Sequence, residues 1–323
     1  MDIVDALALK SLKGVGDASI VKLIEFASKQ GIGSLEELTA LGLQKLPLRK
    51  VPSLEDFLLA AEFQVVRVQV NDQLKAWLDQ GITVIHIGSD KYPKQLMDLA
   101  DPPPFLFCKG NISLLEDTRA IAVVGTRKNS SKGALITAKT VDEFHKRKFV
   151  IVSGLALGID AIAHKAALTF GAPTIAVLVD VQKISPTTNK GLSDEILEKN
   201  GLLIAENKPG TPMIGAHFAK RDRIQAGLST AVFAIETSKN GGTMFAVKAA
   251  NQMGRPVFVP DPKAAKYDDL TLEVIQGTQY LIETKEAEPY TSFLYDEIVE
   301  KLETISQQLN SNSSSKGQKG LLL

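Results

Sequence analysis

The chain has 323 residues, of which 44% are hydrophobic, so it is long enough for about two domains with real cores. Lys and Arg together number 37, as do Asp and Glu, which excludes bulk positive charge as a means of attracting nucleic acid. The single cysteine, Cys108, excludes an intrachain disulfide and a thiolate zinc cluster, and the four histidines do not show metal-ligand spacing.

The sequence predicts a cytoplasmic protein that does not associate with a membrane. No apolar run approaches the roughly 18 residues that a transmembrane helix requires. The amino terminus carries Asp2 and Asp5 and lacks the basic start of a secretory signal.

Residues 1–72 are predicted to form a helical module. Apolar residues recur at helical spacing on both sides of Gly14-Val15-Gly16, and Leu35 begins a pattern for one or two further short helices before Pro47. A glycine pair between two short helices resembles a helix-hairpin-helix or SAM-like element, in which amides at a helix start can hold a phosphate. A tight turn in a small bundle is the alternative interpretation.

Residues 73–285 are predicted to form an extended Rossmann-like domain, a parallel sheet flanked by helices. Short apolar runs typical of buried strands begin at Ile82, Phe105, Ala120, Phe149, Thr174, Gly201, Ala231 and Pro256. Helical patterns lie between most of them, which is typical of an open α/β sheet with ligand loops at its carboxyl edge. In the last segment, 286–323, we expect a helix from Pro289 and a disordered polar tail from Asn310.

The first candidate anion site follows the strand that begins at Ala120. Gly125, Thr126 and Arg127 come directly after this strand, and Lys132 stands at the start of the next predicted helix. Amide groups at a helix amino terminus favour an anion, and a guanidinium group binds phosphate through two parallel hydrogen bonds. The alternative is a solvated loop with an ordinary helix cap.

The second candidate site follows the strand that begins at Phe149. Ser153, Gly154 and Gly158 lie in the loop, where the glycines allow a ligand or another backbone to approach closely. Asp160 and His164 stand four residues apart and share one helix face, which suits either a catalytic or metal pair or a loop-fixing role. Because no third ligand or nucleophile is evident, we interpret them as residues that fix the loop.

A basic segment beside an aromatic residue is the third candidate. Phe218 precedes Arg221 and Arg223, a combination that suits phosphate contact together with base stacking. A solvated helix face, with Phe218 in the core, is the alternative.

The fourth candidate follows the strand that begins at Ala231. Gly241, Gly242 and Thr243 precede a predicted helix and form a second candidate phosphate cradle. Glu236, at the end of the strand, is expected to take an ion-pair or capping role that fixes the loop.

Taken in order, the motifs resemble those of the DNA-processing protein A (DprA, or Smf) family. They include Asp101-Pro102-Pro103-Pro104, Val124-Gly125-Thr126-Arg127, Ser153-Gly154-x-Ala156-x-Gly158-Ile159-Asp160-x-x-Ala163-His164, Arg221-x-Arg223 and Gly254-Arg255. The resemblance implies a non-enzymatic protein without a cofactor that binds single-stranded DNA, usually as a homodimer. It also implies that the DNA is handed to a RecA-type recombinase during natural transformation.

The chain departs from the family pattern, and we interpret it as a divergent member. Lys132 stands where the family usually has tyrosine, and Asp222 stands where it has asparagine between the two arginines.

Two alternative functions stay open. One is a nucleotide sensor or phosphoribohydrolase-like enzyme, in a defence or mobile-element setting, because Gly241-Gly242-Thr243 is similar to part of a phosphoribohydrolase motif. Ala246, however, occupies the place of that motif's glutamate, so the expected general acid or base is missing. The other alternative is an interaction platform with degenerate loops.

Overall fold

The computed structural model describes residues 1–41, 61–267 and 270–318. They fall into two compact units: unit 1 comprises Met1–Tyr92 and Asp101–Cys108, and unit 2 comprises Pro93–Ala100 and the chain from Lys109 onward. None of the helices in these ranges is both long and apolar enough to cross a membrane.

Unit 1 is mainly helical. Its elements are α1 (Ile3–Ser11), α2 (Asp17–Lys29), α3 (Leu35–Ala40), α4 (Ala61–Asp79), β1 (Ile82–His86) and most of β2 (Phe105–Gly110). The chain turns between α1 and α2 at Gly14, whose φ of +95° favours glycine. Helix α4 continues through residue 72, where we predicted a domain boundary, and the helix expected nearer Pro47 falls outside the described residues.

A buried carboxylate links three helices of unit 1. Asp5 on α1 accepts a hydrogen bond from the amide of Leu35 at 3.2 Å, and its Oδ1 lies 3.0 Å from Nε of Arg67 on α4. Burial raises the pKa of Asp5, and the Arg67 charge opposes that shift. The pairing compensates the burial of the carboxylate and fixes α4 against α1.

Unit 2 contains seven parallel strands, which confirms the predicted Rossmann-like sheet. They are β3 (Ala120–Val124), β4 (Val150–Ser153), β5 (Thr174–Leu178), β6 (Leu202–Ala205), β7 (Ala231–Ala234), β8 (Val257–Pro260) and β9 (Glu288–Tyr290). Their order is β6-β5-β4-β3-β7-β8-β9. The chain proceeds from β3 to one side and then returns to β7 on the other, which opens a crevice at the carboxyl ends of β3 and β7.

Helices cover both faces of this sheet. They are α5 (Ser131–Lys146), α6 (Ile159–Phe170), α7 (Lys190–Glu198), α8 (Gly215–Gly227), α9 (Thr243–Gln252), α10 (Glu273–Glu283) and α11 (Tyr295–Gln318). Ile121 and Val123 pack against residues of α5, α6 and α11, whereas Ala122 and Val124 pack against residues of α8 and α9. Alternate residues of β3 therefore serve two cores, which explains why the whole strand is apolar.

The predicted carboxyl-terminal helix is present as α11, but it begins at Tyr295 and not at Pro289, because β9 occupies that position. The Tyr290 ring packs 5.4 Å from that of Phe233, and the Tyr290 hydroxyl lies 2.9 Å from Thr140 Oγ1, so burial of this side chain favours the strand. Proline is tolerated in a strand at a sheet edge.

The disordered tail expected from Asn310 stays a prediction. The described backbone stays helical from Asn310 to Gln318, since extending a formed helix adds a hydrogen bond with each residue. Residues 319–323 lie outside the described part of the chain.

The buried Arg255 joins two segments of unit 2. Its Nη1 donates to carbonyl oxygens in and just after the last turn of α8, including those of Ala226 and Ser229 at 2.8 Å each. Its Nη2 donates to the carbonyl oxygen of Gln95 at 2.8 Å and to Asp98 Oδ2 at 3.1 Å. A cation at a helix carboxyl terminus satisfies carbonyl groups that have no partner within the helix.

Arg255→Ala is expected to lower the free energy of unfolding by about 3 kcal/mol, because it leaves several buried acceptors without a donor. Urea denaturation followed by circular dichroism measures the change. Arg127→Ala is the control, since it removes an exposed guanidinium and should change stability by less than about 0.5 kcal/mol. Equal losses in the two variants would contradict this role of Arg255.

Candidate nucleic-acid interface

A cleft of about 710 Å³ opens at the carboxyl ends of β3 and β7. The loops after β3, β4, β5 and β7, together with helices α8 and α9, form its walls. Eight of the predicted contact residues line it: Gly125, Thr126, Arg127, Phe218, Arg221, Gly241, Gly242 and Thr243. These residues come from three separate stretches of sequence, and the strand order brings them together.

The remaining predicted contact residues do not line this cleft. They are Lys132, Ser153, Gly154, Gly158 and Arg223. Of the three predicted loop-fixing residues, Asp160 lines the cleft, whereas His164 and Glu236 do not.

The Glu236 carboxylate holds the amino terminus of α5. It accepts hydrogen bonds from the amide of Ser130 at 2.9 Å and from the Ser130 hydroxyl at 2.5 Å, while this hydroxyl caps the amide of Gly133 at 2.9 Å. The carbonyl oxygen of Glu236 also accepts from the amide of Thr126 at 2.8 Å. A carboxylate of the chain itself therefore occupies the helix terminus where the sequence predicted an external anion.

Ser153 and Gly158 contact the end of β3 and the loop that follows it. The Ser153 hydroxyl donates to the carbonyl oxygen of Val123 at 2.7 Å. Gly158 has a φ of +76°, and a Cβ atom there would overlap the carbonyl oxygen of Thr126. Because Ile159 also donates its amide to Thr126 at 3.2 Å, the start of α6 fixes the position of this loop.

Arg221 forms the floor of the cleft. Its side chain is only 5% exposed, and its Nε lies 3.2 Å from Asp222 Oδ1. Gly154 makes room for it, because a Cβ atom at this position would overlap the guanidinium group. Among the described residues, Nη1 of Arg221 has no hydrogen-bond acceptor, and the contact of Nε with Asp222 is an ion pair without hydrogen-bond geometry. A buried guanidinium with unused donors is suited to an anionic ligand.

Asp160 and His164 hold separate partners in the structure. Asp160 Oδ2 accepts from the amide of Gly154 at 3.2 Å, and His164 Nδ1 lies 2.8 Å from Thr174 Oγ1. Burial raises the pKa of Asp160, and the Arg221 charge opposes that shift. Burial, together with the Arg221 charge, lowers the pKa of His164 to about 3, so the imidazole is neutral near pH 7. Through these contacts, Asp160 and His164 hold the polypeptide around the loop after β4 in place.

Among the described residues, no group of three histidine, cysteine or acidic side chains is placed to hold a metal ion.

Arg223 is turned away from the cleft by an ion pair. Its Nη1 and Nη2 lie 3.0 and 2.9 Å from the two carboxylate oxygens of Glu206, and Nζ of Lys220 lies 3.1 Å from Glu206 Oε2. The Glu206 side chain is buried, so this bidentate pair is shielded from solvent. Arg221 and Arg223, predicted as a pair of phosphate contacts, therefore have different environments.

Sequence reasoning missed several residues of the cleft. Phe245 and Leu157 line it and are 52% and 45% exposed, and Lys128 is exposed beside Arg127. Phe245 stands two residues after Thr243, in the first turn of α9, so its position in the glycine-rich motif was the available signal. With the half-buried Phe218, it gives the cleft a second aromatic ring.

Gly154→Ala is expected to destabilise the chain by about 1–3 kcal/mol, because the methyl group displaces the buried Arg221 side chain. Gly191→Ala is the matched control: nothing lies near a Cβ atom at this helical position, so alanine should be neutral or stabilising. Urea unfolding of both variants measures the difference. If Gly154→Ala left the free energy of unfolding unchanged, the buried position of Arg221 would not require a glycine at residue 154.

Comparison with known proteins gives consistent matches. A sequence model of the family described as DNA recombination-mediator protein A matches residues 83–303. The DNA processing protein DprA of Bacillus subtilis is 36% identical over 205 residues, which are 63% of this chain and 69% of the relative. DprA of Streptococcus pneumoniae R6 is 36% identical over 216 residues, 67% of this chain and 76% of the relative.

Two solved structures are similar over most of their length. The X-ray structure of DprA from Streptococcus pneumoniae has a TM-score of 0.73 and 30% identity, covering 91% of this chain and 97% of that one. DNA processing protein A from Helicobacter pylori, whose structure is described for its single-stranded DNA binding mode, has a TM-score of 0.57 and 27% identity, covering 72% and 96%. The chain described here belongs to the DNA recombination-mediator protein A family.

Proposed function

We propose that the chain binds single-stranded DNA in the cleft at the carboxyl ends of β3 and β7. One observation carries most of the support: Arg127, Arg221 and the amino-terminal turns of α8 and α9 converge there with two aromatic rings. Membership of a family that includes a protein described for single-stranded DNA binding adds to it. The formal net charge is +0, so such a local cluster is where a polyanion would bind.

The groups of the cleft match the parts of an unpaired strand. Guanidinium groups and amides at helix starts suit phosphates, and the partly exposed rings of Phe218 and Phe245 suit bases that are not stacked in a duplex. A duplex keeps its bases inside the helix, so the rings would add nothing to its affinity. We therefore expect a preference for single strands that is tolerant of sequence.

We infer that the cleft binds its ligand without cleaving it. Glu206 and Glu236, which follow β6 and β7, are engaged by Arg223 and Ser130 and do not line the cleft. Asp160 and Asp222 do line it, and both interact with the charge of the buried Arg221 guanidinium. Ala246, at the place of the phosphoribohydrolase glutamate, does line the cleft and offers no acid or base.

The wider role is part of the same proposal. In it, the chain acts as a homodimer and hands its single strand to a RecA-type recombinase during DNA processing. Family membership is the support for this part.

Arg127→Ala is expected to weaken binding of an unstructured thymidine oligonucleotide about tenfold, because an exposed guanidinium beside a phosphate is lost. The slope of log affinity against log salt should also become shallower by about 0.7, the value for one phosphate of a single strand. Fluorescence anisotropy across ionic strengths measures both quantities.

Lys199→Ala is the matched control for charge, since Lys199 is an exposed cation that does not line the cleft. It should leave the affinity and the salt slope unchanged. If Arg127→Ala behaved like this control, the proposed site would be wrong.

Phe245→Ala is expected to weaken binding by about 1–3 kcal/mol without changing the salt slope, because stacking on a base involves no counterion. Phe293→Ala removes a ring that is 91% exposed outside the cleft and should have no effect. The same anisotropy titration compares them, and equal affinities would exclude Phe245 as a stacking residue.

A further inference from the structure

An acidic side chain lies among the basic groups of the cleft. Asp222 follows Arg221 on α8, and its Oδ1 lies 3.2 Å from Arg221 Nε and accepts a hydrogen bond from Gln225 Nε2 at 2.8 Å. Its Oδ2 is directed toward α9, since a Cβ atom at Gly242 would lie 4.0 Å from it. The Asp222 carboxylate therefore lies between the buried guanidinium and the amino-terminal turn of α9.

These two neighbours are the groups that the proposed function assigns to a DNA phosphate. A guanidinium with unused donors and the amino end of a helix both attract anions, and a carboxylate satisfies both in part. A phosphate entering the same space would meet a like charge at short range in a site shielded from water. Asp222 and a phosphate therefore compete for one position.

We propose that Asp222 is an internal counter-ion that occupies a phosphate position of the cleft and thereby sets the affinity and the pH range of DNA binding. This inference rests on the proposed function of the cleft. Phosphate binding requires Asp222 to be neutral or to move away from Arg221, so a neutral side chain of the same shape binds DNA more tightly.

The groups around Asp222 raise its pKa toward neutral pH. Burial raises its pKa to about 6, with Asp160 at the start of α6 adding to the rise and Arg221 and Arg127 opposing it. Gln225 contributes a neutral donor, and the first turn of α9, which Asp222 faces, has no charged side chain.

The sign of the pH effect follows from these groups. A phosphate nearby raises the pKa of Asp222 further, so DNA binding takes up a proton. Affinity should then increase as the pH falls from about 8 toward 6. His164 does not contribute in this range, because its pKa lies at about 3.

The test is Asp222→Asn, which keeps an oxygen for Gln225 and removes the charge. At about pH 7.5 this variant should bind the thymidine oligonucleotide about tenfold more tightly than the unmodified chain, with a salt slope steeper by about 0.7. Its affinity should vary less between about pH 8 and pH 6. Calorimetry in buffers of different ionisation enthalpy should show proton uptake for the unmodified chain and little for the variant.

Asp194→Asn is the matched control, because it removes an exposed carboxylate paired with Lys190 on α7 and outside the cleft. It should not alter affinity, salt slope or proton uptake. Urea denaturation of each variant, and Asp222→Ala as a second neutral variant, separate charge removal from misfolding.

The outcomes distinguish this inference from the proposed function. If both the unmodified chain and Asp222→Asn bind with equal affinity and equal pH dependence, or if the variant binds more weakly, the counter-ion role is overturned and DNA binding stands. If only Asp222→Asn binds, both are supported. If neither chain binds at any pH while both are folded, the proposed function fails and the inference fails with it.

Discussion

The burial of the Arg221 guanidinium is the interaction on which the cleft depends. A cation in the interior is strongly destabilising unless opposite charges lie close to it, and Asp160 and Asp222 supply them. Gly154 supplies the space, and its amide binds Asp160 in turn. The loop after β4, the first turn of α6 and the middle of α8 are thereby held together, and the remaining residues of the cleft are built on this floor.

The sequence predicted the sheet well because buried parallel strands leave a local signal. Runs of small and β-branched residues identified the first residues of β3, β5 and β7, and parallel order then placed the following loops at one edge. The failure at Pro289 has a tertiary cause: the Tyr290 side chain is buried between strands and helices, and no local pattern encodes that contact.

The partners of the polar residues could not be predicted in the same way. Glu236 binds Ser130, which lies 106 residues earlier in the chain, and Glu206 binds Arg223 across the turn between β6 and α8. The local sequence around a basic residue therefore does not indicate whether its side chain faces a ligand or a carboxylate of the chain itself. The glycines illustrate the same limit, since Gly154 and Gly158 provide room for Arg221 and for the Thr126 loop, where the motif suggested close approach of a ligand.

A neutral chain that binds a polyanion has to control where its cations are exposed. In unit 2, Glu206 neutralises Arg223, Glu236 occupies the start of α5, and Asp222 faces Arg221, so three acidic residues remove positive potential from the edge of the sheet. Arg127 and Lys128 stay exposed at the cleft. Under the proposed function, attraction at long range depends on few charges and is easily screened by salt, whereas the buried guanidinium would act only on a strand already in the cleft. In the proposed mode of binding, the fit between the strand and the cleft floor therefore matters more than net charge.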